Sequence, residues 1–424
     1  MNIIEHKSDA LGERYYETVL DNGLRVYICP KPDFATAYAV YGTRYGSIDT
    51  RFRLGGDGDF TDVPEGIAHF LEHKLFESED LDAFERFAKT GAYANAYTSF
   101  DRTCYLFACT SNFEANLDIL LDFVQSPYFT AASVQKEQGI IGQEIRMYDD
   151  DPQWRVMFNL LCAMYQNHPV RIDIAGTVES IAEIDDKLLY KCYETFYDPS
   201  NMFICIAGDV DAEAVIGRIA DAVGPSKGLK IERSAHSEPV GIVSSYTEQK
   251  LSVSQPMFCM GFKEPCDKPE VTLREYLQTN ILLDIIAGES SPLFGRLLDE
   301  GLIGENLGTE FFNGYGYAAE LFEGESRDPS AVRDALLGEI ERLRRDGIDV
   351  QDFIRSKNSL YGQTVMQYNN VEQIGGALVA AAMGGYDLFS MADEIAAVTL
   401  EDIERRLHTS MSADTFAMSV VAPK

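Results

Sequence analysis

A chain of 424 residues with 46% hydrophobic and 25% charged side chains has the composition of a globular protein, and it exceeds the ~250–300 residues that one core usually supports, so two domains are expected. Its 68 acidic residues against 36 basic ones give a net charge of −32, which sets simple repulsion against nucleic acid or an anionic membrane as the main partner. No stretch reaches the ~18–20 apolar residues of a membrane span, and the opening MNIIEHKSDALGERYYE lacks the basic start and apolar run of a secretory signal, so a soluble, cytoplasmic protein is expected.

In chain order, GLRVYICP and ATAYAVYGTRYGS carry the β-branched and aromatic content of strands. PEGIAHFLEHKLFES reads as a helix opening with Pro64 at its first position after Asp62. LDAFERFAKTG reads as a second helix that stops at Gly91, as a C-terminal glycine should. RTCYLFACTS returns to strand, and SNFEANLDILLDFVQSPYFTAASVQKEQGIIGQEI reads as helix, short break, helix. DKLLYKCYETFY then suggests a helix and NMFICIAGDV a strand. Strands and helices mixed in this way predict an α+β class.

The same plan recurs further on. DPSAVRDALLGEIERLRRDGIDVQDFIRSKNSLYGQTV again reads as helix, break, helix, and LEDIERRLHTSM followed by DTFAMSVVAP repeats the helix and closing strand. A duplicated architecture leaves this mark. Two similar halves are therefore expected at 1–225 and 246–424, joined by a linker at 226–245 that is rich in Gly, Ser, Pro and charge and runs over the surface. The eight cysteines (Cys29, Cys104, Cys109, Cys162, Cys192, Cys205, Cys259 and Cys266) are dispersed, mostly within apolar runs and without a CxxC pair. Buried free thiols in a reducing compartment account for that pattern.

The chemistry concentrates in His69-Phe70-Leu71-Glu72-His73. On a helix, positions i and i+4 face the same way, so His69 and His73 can present two imidazoles to one metal ion, with Glu72 beside that face. A carboxylate there can take a proton from a metal-bound water while the fourth ligand position stays open. With only six histidines in the chain, an isolated surface or core histidine pair at this spacing around a Glu is an uncommon accident. A third ligand must come from elsewhere. The helix around KEQGIIGQEIRMYDDD offers Glu137 and Glu144, seven residues apart on one helical face, and spacing alone does not choose between them or exclude a merely solvated acidic face.

HFLEH followed about seventy residues later by E-x6-E resembles the pitrilysin and insulinase family of zinc peptidases, which includes the mitochondrial processing peptidase. The resemblance covers essentially the whole chain, through GIAHFLEHKLFE, GAYANAYTSFDRTCY, NHPVRIDIAGTVESI and NMFICIAGDV. It implies Glu144 as the third zinc ligand, Glu137 as a residue that orients the ligands, one Zn2+ per chain, and Glu72 as general base. It also implies that GAYANAYTS is an edge strand to which a peptide substrate adds, with Asn95 and Ala96 near the scissile bond. His168 matches a family position outside the metal site and is expected to be structural.

One departure stands out. Many relatives carry an Arg and a Tyr seven residues apart in the second half, where this chain has Leu298 and Glu305; Arg296, Tyr315 and Tyr317 are the nearby candidates to replace them. Bacterial relatives of this length often pair a metal-bearing chain with a homologous metal-free one, so a partner subunit of that kind, or a homodimer, is expected to complete a peptide-enclosing chamber. The activity expected is that of a zinc metalloendopeptidase acting on peptides or unfolded precursor segments. The alternative is a structural or substrate-presenting subunit without catalysis.

Overall fold

The computed structural model describes residues 2–55, 59–79, 81–265 and 270–424. They form two compact units, one built from residues 1–145, 173–235 and 365–390, the other from 146–172, 236–364 and 391–424.

The first unit is organised on a mixed sheet. Its strands are β1 (Ile3–Ser8), β2 (Glu13–Val19), β3 (Arg25–Pro30), β4 (Ala37–Thr43), β7 (Tyr93–Thr98), β8 (Thr103–Cys109) and β9 (Met202–Gly208), while β5 (Arg51–Leu54), β6 (Thr61–Asp62) and β10 (Ile231–Arg233) make a small separate sheet. The large sheet runs β1-β2-β3-β9-β4-β8-β7. The second unit's sheet consists of β11 (Tyr246–Leu251), β12 (Met257–Lys263), β13 (Leu307–Gly314), β14 (Tyr317–Glu325) and β15 (Phe416–Pro423), in the order β11-β15-β12-β14-β13.

The two sheets share one topology. β3 lies parallel to β9, which pairs antiparallel with β4, then β8, then β7. β11 lies parallel to β15, which pairs antiparallel with β12, then β14, then β13. The protein thus has two homologous α+β halves. In both, the closing strand follows an amphipathic helix, Asp186–Phe196 before β9 and Leu400–Thr409 before β15, as the repeated sequence pattern predicts.

Each compact unit nevertheless takes one helix from the other half of the sequence. Among the helices of the first half are α1 (Ile67–Leu75), α2 (Ala83–Thr90), α3 (Phe113–Gln125), α4 (Ala131–Asp150) and α5 (Pro152–Met164), of which α5 packs on β11, β12 and β15. Helix Val371–Gly384 packs on β3, β4 and β9, so close that a Cβ on Gly375 would sit 2.4 Å from the Tyr38 ring. The physical reason is coverage. Tyr15, Val40, Cys104, Phe203 and Cys205 on one face of the first sheet form a core with Ile374, Leu378 and Phe389, whereas its other face is covered by local helices through residues such as Leu71, Leu117 and Ile216.

The segment 226–245 is more than a surface linker. Ile231–Arg233 pairs with β5, Arg233 bonds Asp49 at 2.6 Å, and the Glu238 carboxylate meets Lys263 at 2.6 Å with both side chains fully buried. Of the cysteines, the seven within the described residues are free, six of them buried and Cys162 exposed; Cys266 lies outside the described residues. No helix among the described residues is long and apolar enough to cross a membrane.

Candidate metal centre

Helix α1 begins at Ile67 rather than at Pro64. Gly66 immediately before it adopts φ 86°, a left-handed conformation that favours glycine, and a Cβ there would meet the Ala175 carbonyl oxygen at 2.3 Å. Gly176 approaches from the other side, 2.5 Å from the Glu65 carbonyl by the same measure, and the Ser180 hydroxyl donates to that carbonyl at 2.8 Å. The loop containing IAGTVES therefore braces the start of the helix that carries the histidines.

From α1, His69 and His73 turn toward α4. His69 Nε2 lies 3.8 Å from Glu144 Oε1 and His73 Nε2 lies 3.5 Å from Glu144 Oε2. One ligand atom from each of His69, His73 and Glu144 falls within 4.8 Å of the others, a grouping able to hold a metal ion. Glu137, one helical face with Glu144 and itself buried, meets His73 Nδ1 at 3.0 Å. A carboxylate at Nδ1 accepts a hydrogen bond from the Nδ1–H and leaves the Nε2 lone pair directed at Glu144, the usual way a metal-binding imidazole is held. The two glutamates that spacing left equivalent thus meet different nitrogens of His73.

The donor chemistry fits zinc. Two imidazole nitrogens and one carboxylate make a three-ligand set that leaves the fourth tetrahedral position open. Burial and the neighbouring His73 push His69 down to about 3, so it stays neutral as a ligand must. Burial works against the charge on His73, but its hydrogen bond to Glu137 and the charges of Glu72, Glu144 and Glu137 outweigh that and raise it. The carboxylates of Glu72, Glu137 and Glu144 thus gather negative charge around His73.

Glu72 is buried beside this group. Burial raises its pKa, opposed by a hydrogen bond from Thr98 and by His73. Thr98, at the end of β7, donates its hydroxyl to Glu72 Oε2 at 2.6 Å. Nothing in the spacing of the sequence marks Thr98; its one signal is the strand alternation that puts it on the same face as Ala94 and Ala96.

β7 itself pairs only with β8 among the described residues, so one edge is open. Asn95 is exposed and Ala96 half-buried on it, and the Asn95 side-chain oxygen accepts from the Ala96 N–H at 2.9 Å. The second-half candidates are placed differently. Arg296 lies 4.0 Å from Glu339, and Tyr317 is a buried core residue packed on Phe312 and His168. His168 is 1% exposed, its Nδ1 accepting from the Val170 N–H and its Nε2 reaching the Tyr315 carbonyl at 3.1 Å, which is a structural role.

Comparison with known proteins shows the family. The family described as Insulinase (Peptidase family M16) matches residues 58–178, which include His69, Glu72, His73, Glu137 and Glu144, and the Peptidase M16 inactive domain matches residues 183–360. The chain is 41% identical over 421 residues, 98% of each protein, to the uncharacterized zinc protease YmfH of Bacillus subtilis (strain 168). It is 26% identical over 396 residues, 87% of this chain and 91% of the relative, to the zinc protease YmxG of the same organism. Among solved structures, an M16-like peptidase from Alicyclobacillus acidocaldarius superposes with a TM-score of 0.93 at 34% identity, covering 99% of this chain and 100% of that one.

Proposed function

Since this chain belongs to the insulinase-type peptidase family M16, we propose that it is a zinc metalloendopeptidase in which His69, His73 and Glu144 hold one zinc ion and Glu72 is the general base. The observation that carries the reading is the convergence of those three donors within 4.8 Å next to a buried glutamate. Bound zinc would supply Lewis acidity toward the scissile carbonyl and acidify a water. Glu72 takes that water's proton at its free carboxylate oxygen and returns it to the departing amine. Glu137 keeps His73 oriented, and no residue forms a covalent bond to substrate.

The substrate is an extended peptide or unfolded segment, adding as a strand along the open edge of β7, with Asn95 and Ala96 near the bond to be cut. Supporting this is the orientation of Asn95 and Ala96 on an unpaired edge that ends at Thr98 beside Glu72. Leu298 and Glu305 stand where relatives carry Arg and Tyr, so we also propose that a second, homologous, metal-free subunit supplies those contacts, a homodimer being the other arrangement. A reducing compartment, the cytoplasm, suits the seven free thiols among the described residues.

The test is metal analysis and cleavage of a quenched fluorescent peptide library on one purified sample, with Glu72→Gln as control. Zinc near one per chain with Glu72-dependent cleavage supports a self-sufficient peptidase. Zinc without cleavage, rescued by a homologous subunit, supports the paired enzyme, and absence of zinc overturns the site.

A further inference from the structure

We propose that Thr98 is a positioning residue for the general base, delivered to it by the same strand whose edge takes the peptide; this rests on the role assigned to Glu72 above. Side chains alternate along β7, so Tyr93, Asn95 and Tyr97 face outward while Ala94 and Ala96 pack on the core cluster. Thr98 continues the inward set. An alanine-lined face thus ends in a hydroxyl at the point where it reaches Glu72.

The direction of the hydrogen bond follows from counting protons. A threonine hydroxyl has one proton to give, and an ionised carboxylate accepts only. Near Thr98 Oγ1 stand Glu72 Oε2 at 2.6 Å and Thr103 Oγ1 at 3.3 Å. The Thr103 proton goes to the Tyr45 carbonyl at 2.9 Å, which leaves Thr103 nothing to donate back. The Thr98 proton therefore goes to Glu72, at the short distance of a charge-assisted O–H···O⁻ bond.

The consequence is a division of labour within one carboxylate. Oε2 is held by Thr98, which fixes the side-chain rotamer and leaves the other oxygen to take the proton. Among the described residues the Thr98 hydroxyl hydrogen-bonds Glu72 and Thr103 and no proposed metal ligand, so it acts through Glu72. A base held to within a fraction of an ångström keeps the full ~10²–10⁴-fold that positioned proton transfer supplies, and a loosely held one keeps part of it.

Thr98→Val removes the hydroxyl and preserves the shape, and Thr98→Ser preserves the hydroxyl. In the zinc-loaded enzyme with its required partner, Thr98→Val should retain stoichiometric zinc and an unchanged KM while kcat falls about 10- to 100-fold, and Thr98→Ser should recover kcat to within about threefold. A Thr98→Val variant with full kcat, one whose loss lies wholly in KM, or a Thr98→Ser variant as slow as the valine would each overturn the proposal. Melting of the metal-free protein gives an independent readout. Thr98→Val, Glu72→Ala and the double variant should show coupled Tm shifts, the double losing less than the sum; additive shifts would sink the pairing. If the wild-type enzyme cleaves no peptide, the peptidase reading fails, and the melting cycle still decides whether Thr98 and Glu72 act as a unit.

Discussion

At the scale of single residues, what separates the members of this site is what each nitrogen and oxygen already has as a partner. His73 has Glu137 on Nδ1, and Glu72 has Thr98 on Oε2. Replacing Glu72 by Gln removes the base but no zinc ligand, so metal content should stay near one per chain while kcat falls by roughly 10²-fold or more. His69→Ala or His73→Ala should instead lose the metal, read by atomic absorption after dialysis. Glu137→Gln should keep the fold and weaken zinc binding about 10- to 100-fold in a chelator competition, because the carboxylate no longer fixes the His73 tautomer. Unchanged affinity would reduce Glu137 to a bystander.

At the scale of elements, α1 is aimed by a contact between two glycines and two carbonyls rather than by a side-chain cap. Gly66→Ala would place a methyl group 2.3 Å from the Ala175 oxygen at a φ of 86°. The expected cost is about 2 kcal/mol or more, seen as a lowered Tm and, because α1 carries both histidines, as weakened zinc binding. In the second unit, the segment after α5 is clamped by Glu238, which accepts from the backbone N–H groups of Gln166, Asn167 and His168. Burial and the neighbouring His236 push His168 down from 6.5 to about 4. Between those values the unfolded chain binds the proton and the folded one does not, so stability is complete above pH 6.5 and is lost as pH falls toward 4. His168→Gln should flatten that acid limb in urea titrations of metal-free protein, by up to roughly 3 kcal/mol.

At the scale of the whole molecule, the repeat in the sequence and the compact units of the fold do not share boundaries. Residues 365–390 belong to the first unit and 146–172 to the second. A fragment ending at residue 225 would leave Val40, Phe203 and Cys205 without Ile374, Leu378 and Phe389. Expressed alone, it should be aggregated or rapidly degraded by protease, and a compact, protease-resistant 1–225 fragment would contradict the exchange. A relative matched over 98% of its length is consistent with the two halves travelling as one chain.

Local pattern was enough to give the α+β class, the duplication and most strands and helices, and it singled out His69, Glu72 and His73 as candidates, because the 3.6-residue period alone sets His69 and His73 on one face. Spacing could not separate Glu137 from Glu144, since both lie on one face of α4; the resemblance to a family suggested the assignment we propose, and the partners of His73 support it. Thr98, the glycine brace at Gly66 and Gly176, the buried Glu238 in an apparent linker, and the exchanged helices were beyond local reading. Each depends on which distant segment covers a surface or satisfies a buried group, and that is settled by tertiary packing alone.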